Sequence, residues 1–116
     1  GVALTDLSLV ETHDCFTIAE LIQYEAIGLA APGKVAEVLA DGTVYKDGKL
    51  PVNPSGGLKA KGHPVGATGV SMHVMAARQL MNEADEMQVK DAKLAGIFNM
   101  GGAAVANYLS ILERVK

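Results

Sequence analysis

The chain of 116 residues contains one cysteine, and it lies in the motif His13-Asp14-Cys15-Phe16, between a short apolar segment and the start of a predicted helix. A strand-to-helix junction presents side chains at the carboxyl end of the strand, where open α/β sheets bind their ligands. The dipole of the following helix favours the thiolate of Cys15, whereas the neighbouring Asp14 opposes it. The motif predicts a reactive thiol beside an imidazole or, in the alternative, a small buried cysteine beside a structural histidine.

A second candidate, His63, lies in the glycine-rich segment of residues 62–69, Gly-His-Pro-Val-Gly-Ala-Thr-Gly. Glycines let the main chain approach a ligand closely, and the first N–H groups of the next helix can bind an anion or a carbonyl oxygen. His63 could act there as a base or as a donor to a developing oxyanion. The alternative is a loop shaped only for tight packing, in which the histidine is incidental.

The third candidate is the segment Asn99-Met100-Gly101-Gly102-Ala103, whose peptide N–H groups could point at a substrate. An ordinary Gly-Gly hairpin explains the segment equally well.

Other reactive side chains give weaker signals. A zinc site that combines His13 and Cys15 with another histidine matches no tetrahedral ligand spacing, so no metal site is predicted. His73 lies within an apolar helical pattern and is expected to be structural. Lys59 and Lys61 are expected to be solvated rather than to bind phosphate.

An α/β framework must position these groups. The pattern of apolar residues and turn signals predicts a strand over 6–12, a helix from 17 to 28, a short helix over 32–39, an apolar helix over 70–81, and a hairpin of strands over 94–99 and 104–112. Thr17 and Glu20 form a capping-box pattern at the first helix. The helix over 70–81 is apolar around most of its circumference and is expected to be buried, with its methionines filling the core. This order of elements argues for a layered α/β domain with a mixed sheet.

Composition excludes several classes of protein. Apolar residues make up 49% and charged residues 20% of the chain, so intrinsic disorder is not expected. The net charge of −3 argues against nucleic-acid binding driven by bulk charge, and no apolar stretch is long enough to span a bilayer. The lone cysteine favours a reducing compartment, so we expect a cytoplasmic protein, or a peroxisomal one in a eukaryote.

Three motifs together resemble a known family. His13-Asp14-Cys15-Phe16, Asn53-Pro54-Ser55-Gly56-Gly57 and the Gly-His-Pro loop of residues 62–69 occur in the order found in the C-terminal half of thiolases. The chain is most similar to the sterol-carrier-protein type and to related acetyl-CoA acetyltransferases, over nearly its whole length. The resemblance implies one domain over 1–116, a layered α/β fold with a mixed five-stranded sheet packed with helices, and an enzyme of two similar halves that is usually a dimer.

The resemblance also implies an activity and its residues. Thiolases catalyse reversible Claisen condensation or thiolysis of 3-oxoacyl-CoA through a cysteine thioester, with coenzyme A as carrier and no permanently bound cofactor. By this resemblance His63 activates the nucleophilic cysteine, His13 stands where many thiolases have an Asn that holds an oxyanion-hole water, and Cys15 moves the α-proton. Gly101 donates its N–H to a second oxyanion hole. Phe16 and Asn99 line the pocket.

Two departures from the family pattern shape our expectations. Many thiolases carry a second catalytic cysteine where this chain has Asn99, and in the resembling branch Cys15 substitutes for it. The nucleophilic cysteine belongs to the N-terminal half, and the chain opens at Gly1 without Met, so we expect a piece of a larger enzyme that has no turnover alone. We also expect exposed apolar surface and self-association. The alternative is a non-catalytic thiolase-like protein that binds acyl-CoA or acts as a scaffold.

Overall fold

The computed structural model describes residues 1–115 and contains a three-stranded sheet. Strand β1 (Leu9–Thr12) pairs in parallel with β2 (Leu94–Gly101), and β2 pairs antiparallel with β3 (Ala106–Glu113). The sheet is therefore mixed, as expected from the sequence, and the predicted hairpin is confirmed. All four residues of β1 are buried, which fits a strand covered on both faces.

The expectation of five strands is wrong for residues 1–115. Beyond the three strands, Val52 makes only an isolated parallel bridge with Val10. Pro51 has no N–H to donate to a ladder, and Asn53 has a φ of 50°, which turns the chain away from the sheet. A regular strand consequently does not form in this segment.

Helix α1 (Thr17–Ala26) confirms the first predicted helix, but the predicted capping box is wrong. Phe16 is the N-cap residue and makes no side-chain cap bond. The carboxylate of Glu20 instead accepts hydrogen bonds from the Tyr24 hydroxyl (2.9 Å) and the Asn53 amide (3.2 Å). The Glu20 carboxylate is thus bound by Tyr24, one turn along the same helix, and by Asn53 from a distant segment, instead of by the N-cap main chain.

Two other boundaries differ from the prediction. The first strand begins at Leu9 rather than at residue 6, because Leu4–Asp6 form a 3₁₀ turn. Helix α2 (Val35–Ala40) begins three residues after Pro32, since Gly33 has a φ of 76°, which is incompatible with a right-handed helix. A short helix, α3 (Gly57–Lys61), follows the Asn-Pro-Ser-Gly segment and was not predicted.

Helix α4 (Thr68–Met81) packs one face on the sheet and exposes another. Its buried side chains include Met72, Ala76 and Leu80, which join a core formed with Leu9, Val89, Ala92, Ala95 and Ile97. Val70, Val74 and Met81 are 66%, 50% and 54% exposed, so the expectation that this helix is buried on nearly all sides, with Met81 in the core, is wrong. The exposed apolar surface expected from the family resemblance is present here.

A second core is formed with residues of α1, and side chains of α2 pack against it. It contains Tyr24, Ala30, Val44 and Val52.

Within residues 1–115, none of the helices combines the length and hydropathy needed to cross a bilayer.

Candidate active site

His13 directly follows β1 and is held by a buried glutamine of α1. Gln23 Oε1 accepts a hydrogen bond from the His13 N–H (3.1 Å), and its Nε2 donates to the His13 carbonyl (2.7 Å). Both residues are buried. The main chain of His13 is thus fixed by a side chain that reaches it from a different element.

The two imidazoles expected to do chemistry lie against each other. The ring centroids of His13 and His63 are 4.9 Å apart, with an angle of 89° between the ring planes. His13 is 6% exposed, whereas His63 is exposed at the start of the loop before α4. The structure brings together two residues that are fifty positions apart, one buried and one open to solvent.

A buried hydroxyl orients the ring of His63. Thr68 Oγ1 lies 2.7 Å from His63 Nδ1 and donates its own proton to the carbonyl of Pro64 (3.2 Å). Because the hydroxyl proton is already donated, Oγ1 accepts the proton on Nδ1. The neutral ring therefore carries its proton on Nδ1 and presents the lone pair of Nε2, as a general base requires.

The ring of His13 contacts the hairpin. Its Nδ1 lies 2.8 Å from Oδ1 of Asn99, a half-buried residue of β2. Gly101 lies two residues further along β2, opposite Ala106, and is exposed.

Cys15 and Phe16 border an apolar groove of about 520 Å³ between α1 and the β2–β3 hairpin. The thiol is free and half-buried, and Phe16 is 71% exposed. Phe98 and Met100 line the opposite wall, and none of the described residues that line the groove is a histidine. Cys15 thus borders an apolar groove that neither His13 nor His63 lines, although Cys15 is only two residues along the chain from His13.

Asp14 ties the end of β1 to the segment that carries His63. Its buried carboxylate accepts hydrogen bonds from the N–H groups of Leu58 (2.7 Å) and Lys59 (3.4 Å), at the start of α3. The Lys59 ammonium lies 3.8 Å from the same carboxylate and also pairs with Glu20. The negative charge of Asp14 is therefore balanced by main-chain N–H donors and by the Lys59 ammonium, as a buried charge requires.

A second buried carboxylate, Glu11, lies on the same strand. Its Oε2 accepts the Ser55 hydroxyl proton (2.7 Å), and Ser55 Oγ in turn accepts from the Lys61 ammonium (2.5 Å). Burial raises the pKa of Glu11 above its ordinary value of 4.5, while the hydrogen bond from Ser55 and the charge of Lys61 oppose this shift. Lys59 and Lys61 are exposed, as expected, and each also takes part in a polar network with a buried side chain.

Two residues that hold the site were not singled out in the sequence. Thr68 lies inside the glycine-rich motif, but its hydrogen bond to His63 depends on the turn at Pro64. Gln23 could have been noticed as the polar member of the inward face of α1, one turn after the buried Ala19.

The remaining candidates behave structurally. His73 Nδ1 donates to the carbonyl of Gly69 (2.7 Å), and its Nε2 accepts from the Ser110 hydroxyl (3.0 Å), which joins α4 to β3 as a structural histidine would. Residues 1–115 contain no group of three or more His, Cys, Asp or Glu side chains placed to bind a metal ion.

Comparison with known proteins identifies the family of this domain. The family model described as "Thiolase C-terminal domain-like" matches residues 1–114. The chain therefore belongs to the thiolase C-terminal domain family, as the sequence motifs indicated.

Individual relatives within the family include an acyltransferase and a sterol carrier protein. The chain is 41% identical over 109 residues to an acetyl-CoA acetyltransferase of Methanothermobacter thermautotrophicus, which covers 94% of this chain and 28% of that protein. It is 45% identical over 107 residues to sterol carrier protein 2 of Oryctolagus cuniculus, covering 90% of this chain and 20% of the relative. A solved structure named "Ltp2-ChsH2(DUF35) aldolase" superposes with a TM-score of 0.82 at 27% identity, over 97% of this chain and 28% of that chain. The chain thus spans between a fifth and about a quarter of the length of these relatives.

Proposed function

We propose that this chain is the C-terminal catalytic domain, residues 1–116, of a thiolase-type acyltransferase that acts on 3-oxoacyl-CoA. The observation that carries the proposal is the edge-to-face contact between His13 and His63, 4.9 Å apart, at the end of the strand that leads into Cys15. Carbon–carbon bond making or breaking beside a thioester needs an acyl carrier, a proton acceptor and donors for a developing enolate.

In thiolysis, a cysteine supplied by an N-terminal half attacks the 3-oxo carbonyl of the substrate, and Nε2 of His63 takes the thiol proton. The Cα–Cβ bond then breaks, and the electron pair remains on the acetyl-CoA enolate. The thiol of Cys15 protonates the α-carbon of that enolate and is left as a thiolate. The thiol of coenzyme A next gives its proton to the Cys15 thiolate and attacks the acyl-enzyme, which releases the shortened acyl-CoA. The nucleophilic cysteine leaves as a thiolate and takes back its proton from His63. Condensation is the reverse sequence.

The remaining residues stabilise the negative charge that develops on the substrate oxygens and line the substrate pocket. His13 holds a water that donates to the thioester oxygen, and the N–H of Gly101 donates to the second oxyanion. Phe16 and Asn99 border the substrate. Coenzyme A and acyl-CoA enter as substrates rather than as resident cofactors, and the assembled enzyme is a homo-oligomer in the cytoplasm.

The test is reconstitution from two parts. The 116-residue chain is mixed with the separately produced N-terminal half of the same enzyme, and thiolysis of acetoacetyl-CoA is measured. We expect no turnover from the chain alone and activity from the mixture. Cys15→Ala should lower the activity of the mixture by at least a hundredfold, consistent with loss of an acid–base group. The control variant is Lys34→Ala. Lys34 is the exposed N-cap residue of α2, and its substitution should keep full activity.

The alternative is a non-catalytic thiolase-like protein that binds acyl-CoA or acts as a scaffold. The names of several relatives, including sterol carrier protein 2, support this alternative. Tight binding of acyl-CoA by the mixture, without turnover and without dependence on Cys15, would establish this alternative and refute the enzyme. Normal activity of the isolated chain would contradict both readings.

A further inference from the structure

We propose that Asn99 is a positioning residue that fixes the imidazole of His13 in its Nδ1–H tautomer, and that Gly69 provides the space that lets Asn99 do so. The importance of the tautomer for catalysis rests on the proposed function. The hydrogen bond itself can be tested without any turnover.

The contact between Asn99 and His13 defines the tautomer. Asn99 Oδ1 lies 2.8 Å from His13 Nδ1. An amide oxygen only accepts hydrogen bonds, so the proton of a neutral ring must be on Nδ1. Nε2 is then a lone pair, and His13 stabilises a substrate oxygen through a bridging water instead of donating to it directly.

The main chain holds Asn99 in register for this contact. The residue lies within β2, where it is paired with Tyr108 of β3, and His13 N–H donates to the carbonyl of the preceding Phe98 (3.0 Å). Both ends of the side-chain hydrogen bond are consequently anchored to the same sheet. A carboxamide held in this way loses little entropy when it orients the ring.

Gly69 makes the approach of Asn99 sterically feasible. A Cβ atom at residue 69 would lie 2.7 Å from Asn99 Nδ2, which is closer than such atoms can approach. Gly69 lies in the first turn of α4, and its φ is not positive, so its backbone conformation does not require glycine. Glycine inside a helix costs about 1 kcal/mol relative to alanine. The close packing of the Asn99 amide is therefore the structural reason for glycine at this position.

The experiment reads the tautomer by NMR. The 116-residue chain is labelled with ¹⁵N-histidine, and the His13 ring signals are assigned with the variants His63→Gln and His73→Gln. We expect the wild-type chain to carry its proton on Nδ1. Asn99→Leu, which has nearly the same size but no acceptor, should shift His13 to a majority of the Nε2–H form, whereas Asn99→Asp keeps an acceptor and should retain Nδ1–H.

A second variant makes the test independent of the Asn99 substitution. Gly69→Ala keeps Asn99 but displaces its amide, so it should also lose the Nδ1–H preference. Ser71→Ala, in the same turn of α4, adds no atom near Asn99 and should leave the tautomer unchanged. A wild-type ring protonated on Nε2, or an Nδ1–H ring that persists in both Asn99→Leu and Gly69→Ala, would overturn the proposal.

The kinetic consequence separates this inference from the proposed function. In the two-part enzyme, Asn99→Leu should lower kcat about tenfold with little change in KM, and Asn99→Asp should restore most of the loss. A shifted tautomer with an unchanged kcat would refute the catalytic importance of the contact. Absence of turnover in the wild-type mixture would refute the proposed function, and the tautomer result would still decide the role of Asn99.

Discussion

The main chain of Gly57 lies directly against the carboxylate of Asp14, so closely that a Cβ atom at residue 57 would overlap the carboxyl group. Asp14 is fully buried and accepts the N–H groups at the start of α3. The contact therefore joins the residue beside Cys15 to the segment that leads to His63.

Substitution of Gly57 by alanine should be strongly destabilising. Its φ of 65° costs an L-residue roughly 1–2 kcal/mol. The new methyl group also displaces a buried carboxylate from its donors, which costs about 1–3 kcal/mol more. We expect urea denaturation to show a loss of about 3 kcal/mol in the free energy of unfolding.

Gly28→Ala is the matched control for that experiment. Gly28 has a φ of 80°, but a Cβ atom there would meet nothing within 4 Å. This variant should lose only the backbone component, roughly 1–2 kcal/mol. Equal losses in the two variants would show that the contact with Asp14 is unimportant.

Gln23→Leu should destabilise the chain by about 2 kcal/mol. The substitution keeps the size of the side chain but leaves the buried C=O of His13 without its Gln23 donor, and one such group costs about 1–3 kcal/mol. The N–H of His13 keeps the carbonyl of Phe98 as its acceptor. Glu83→Leu, a similar change at an exposed position, should shift stability by less than about 0.5 kcal/mol. Thermal or urea unfolding measures both, and a tolerated Gln23→Leu would contradict the assigned role of the amide.

Thr68→Val should impair catalysis rather than folding alone. Without the hydroxyl, the Nδ1 proton of His63 loses its acceptor, and Nε2 no longer points in a fixed direction. In the two-part enzyme we expect kcat to fall about tenfold, a fraction of the 10²–10⁴ that a general base contributes. Thr68→Ser keeps the hydroxyl and should retain nearly full activity, and identical losses in both variants would exclude the hydrogen bond as the cause.

The strand-to-helix position of His13 and Cys15 was predicted more accurately than the number of strands. His13 and Cys15 follow a buried strand and His63 lies in a glycine-rich segment, so their positions depend on local signals that tertiary structure preserves. The catalytic roles of these residues stay predictions. The strand count depends instead on pairing between distant segments, and at Val52 a neighbouring proline limits that pairing to one bridge. The hydrogen bonds of Gln23 and Thr68 join separate turns or elements, which no periodicity encodes.

The capping box failed for a related reason. The pattern at Thr17 is locally reasonable, but the Glu20 carboxylate accepts hydrogen bonds from Tyr24, one turn along α1, and from Asn53, which only the folded chain brings near. A local side-chain motif does not form where other donors compete for the same side chain.

The exposed face of α4 should make the isolated chain bind apolar dyes and self-associate. Val70 and Val74 lie one turn apart and are at least half exposed. The double variant Val70→Lys/Val74→Lys should lower dye fluorescence and the sedimentation coefficient at high concentration. Glu37→Lys makes the same change of two charge units on α2 and should affect neither, so equal effects would assign the association to charge rather than to this face.

The free energy of unfolding should depend on pH through the ionisation of Glu11. Burial raises the pKa of its carboxyl in the folded chain above 4.5, so the folded state binds more protons than the unfolded state in the interval above that value. The stabilisation due to Glu11 is therefore fully present below pH 4.5 and is lost as the pH rises through the folded-state pKa. Glu11→Gln removes this component, and the stability of the variant relative to wild type should rise with pH across that interval.

Asp41→Asn provides a control of opposite sign. Hydrogen bonds from Thr43 lower the pKa of the Asp41 carboxyl below 3.8, so its stabilisation is present above that value and is lost as the pH falls through the folded-state pKa. Its difference from wild type should change only at acidic pH. Urea denaturation at a series of pH values measures both differences, and a Glu11→Gln difference that stays constant from pH 4 to pH 8 would show that this buried carboxyl is ionised in the folded chain as readily as in the unfolded one.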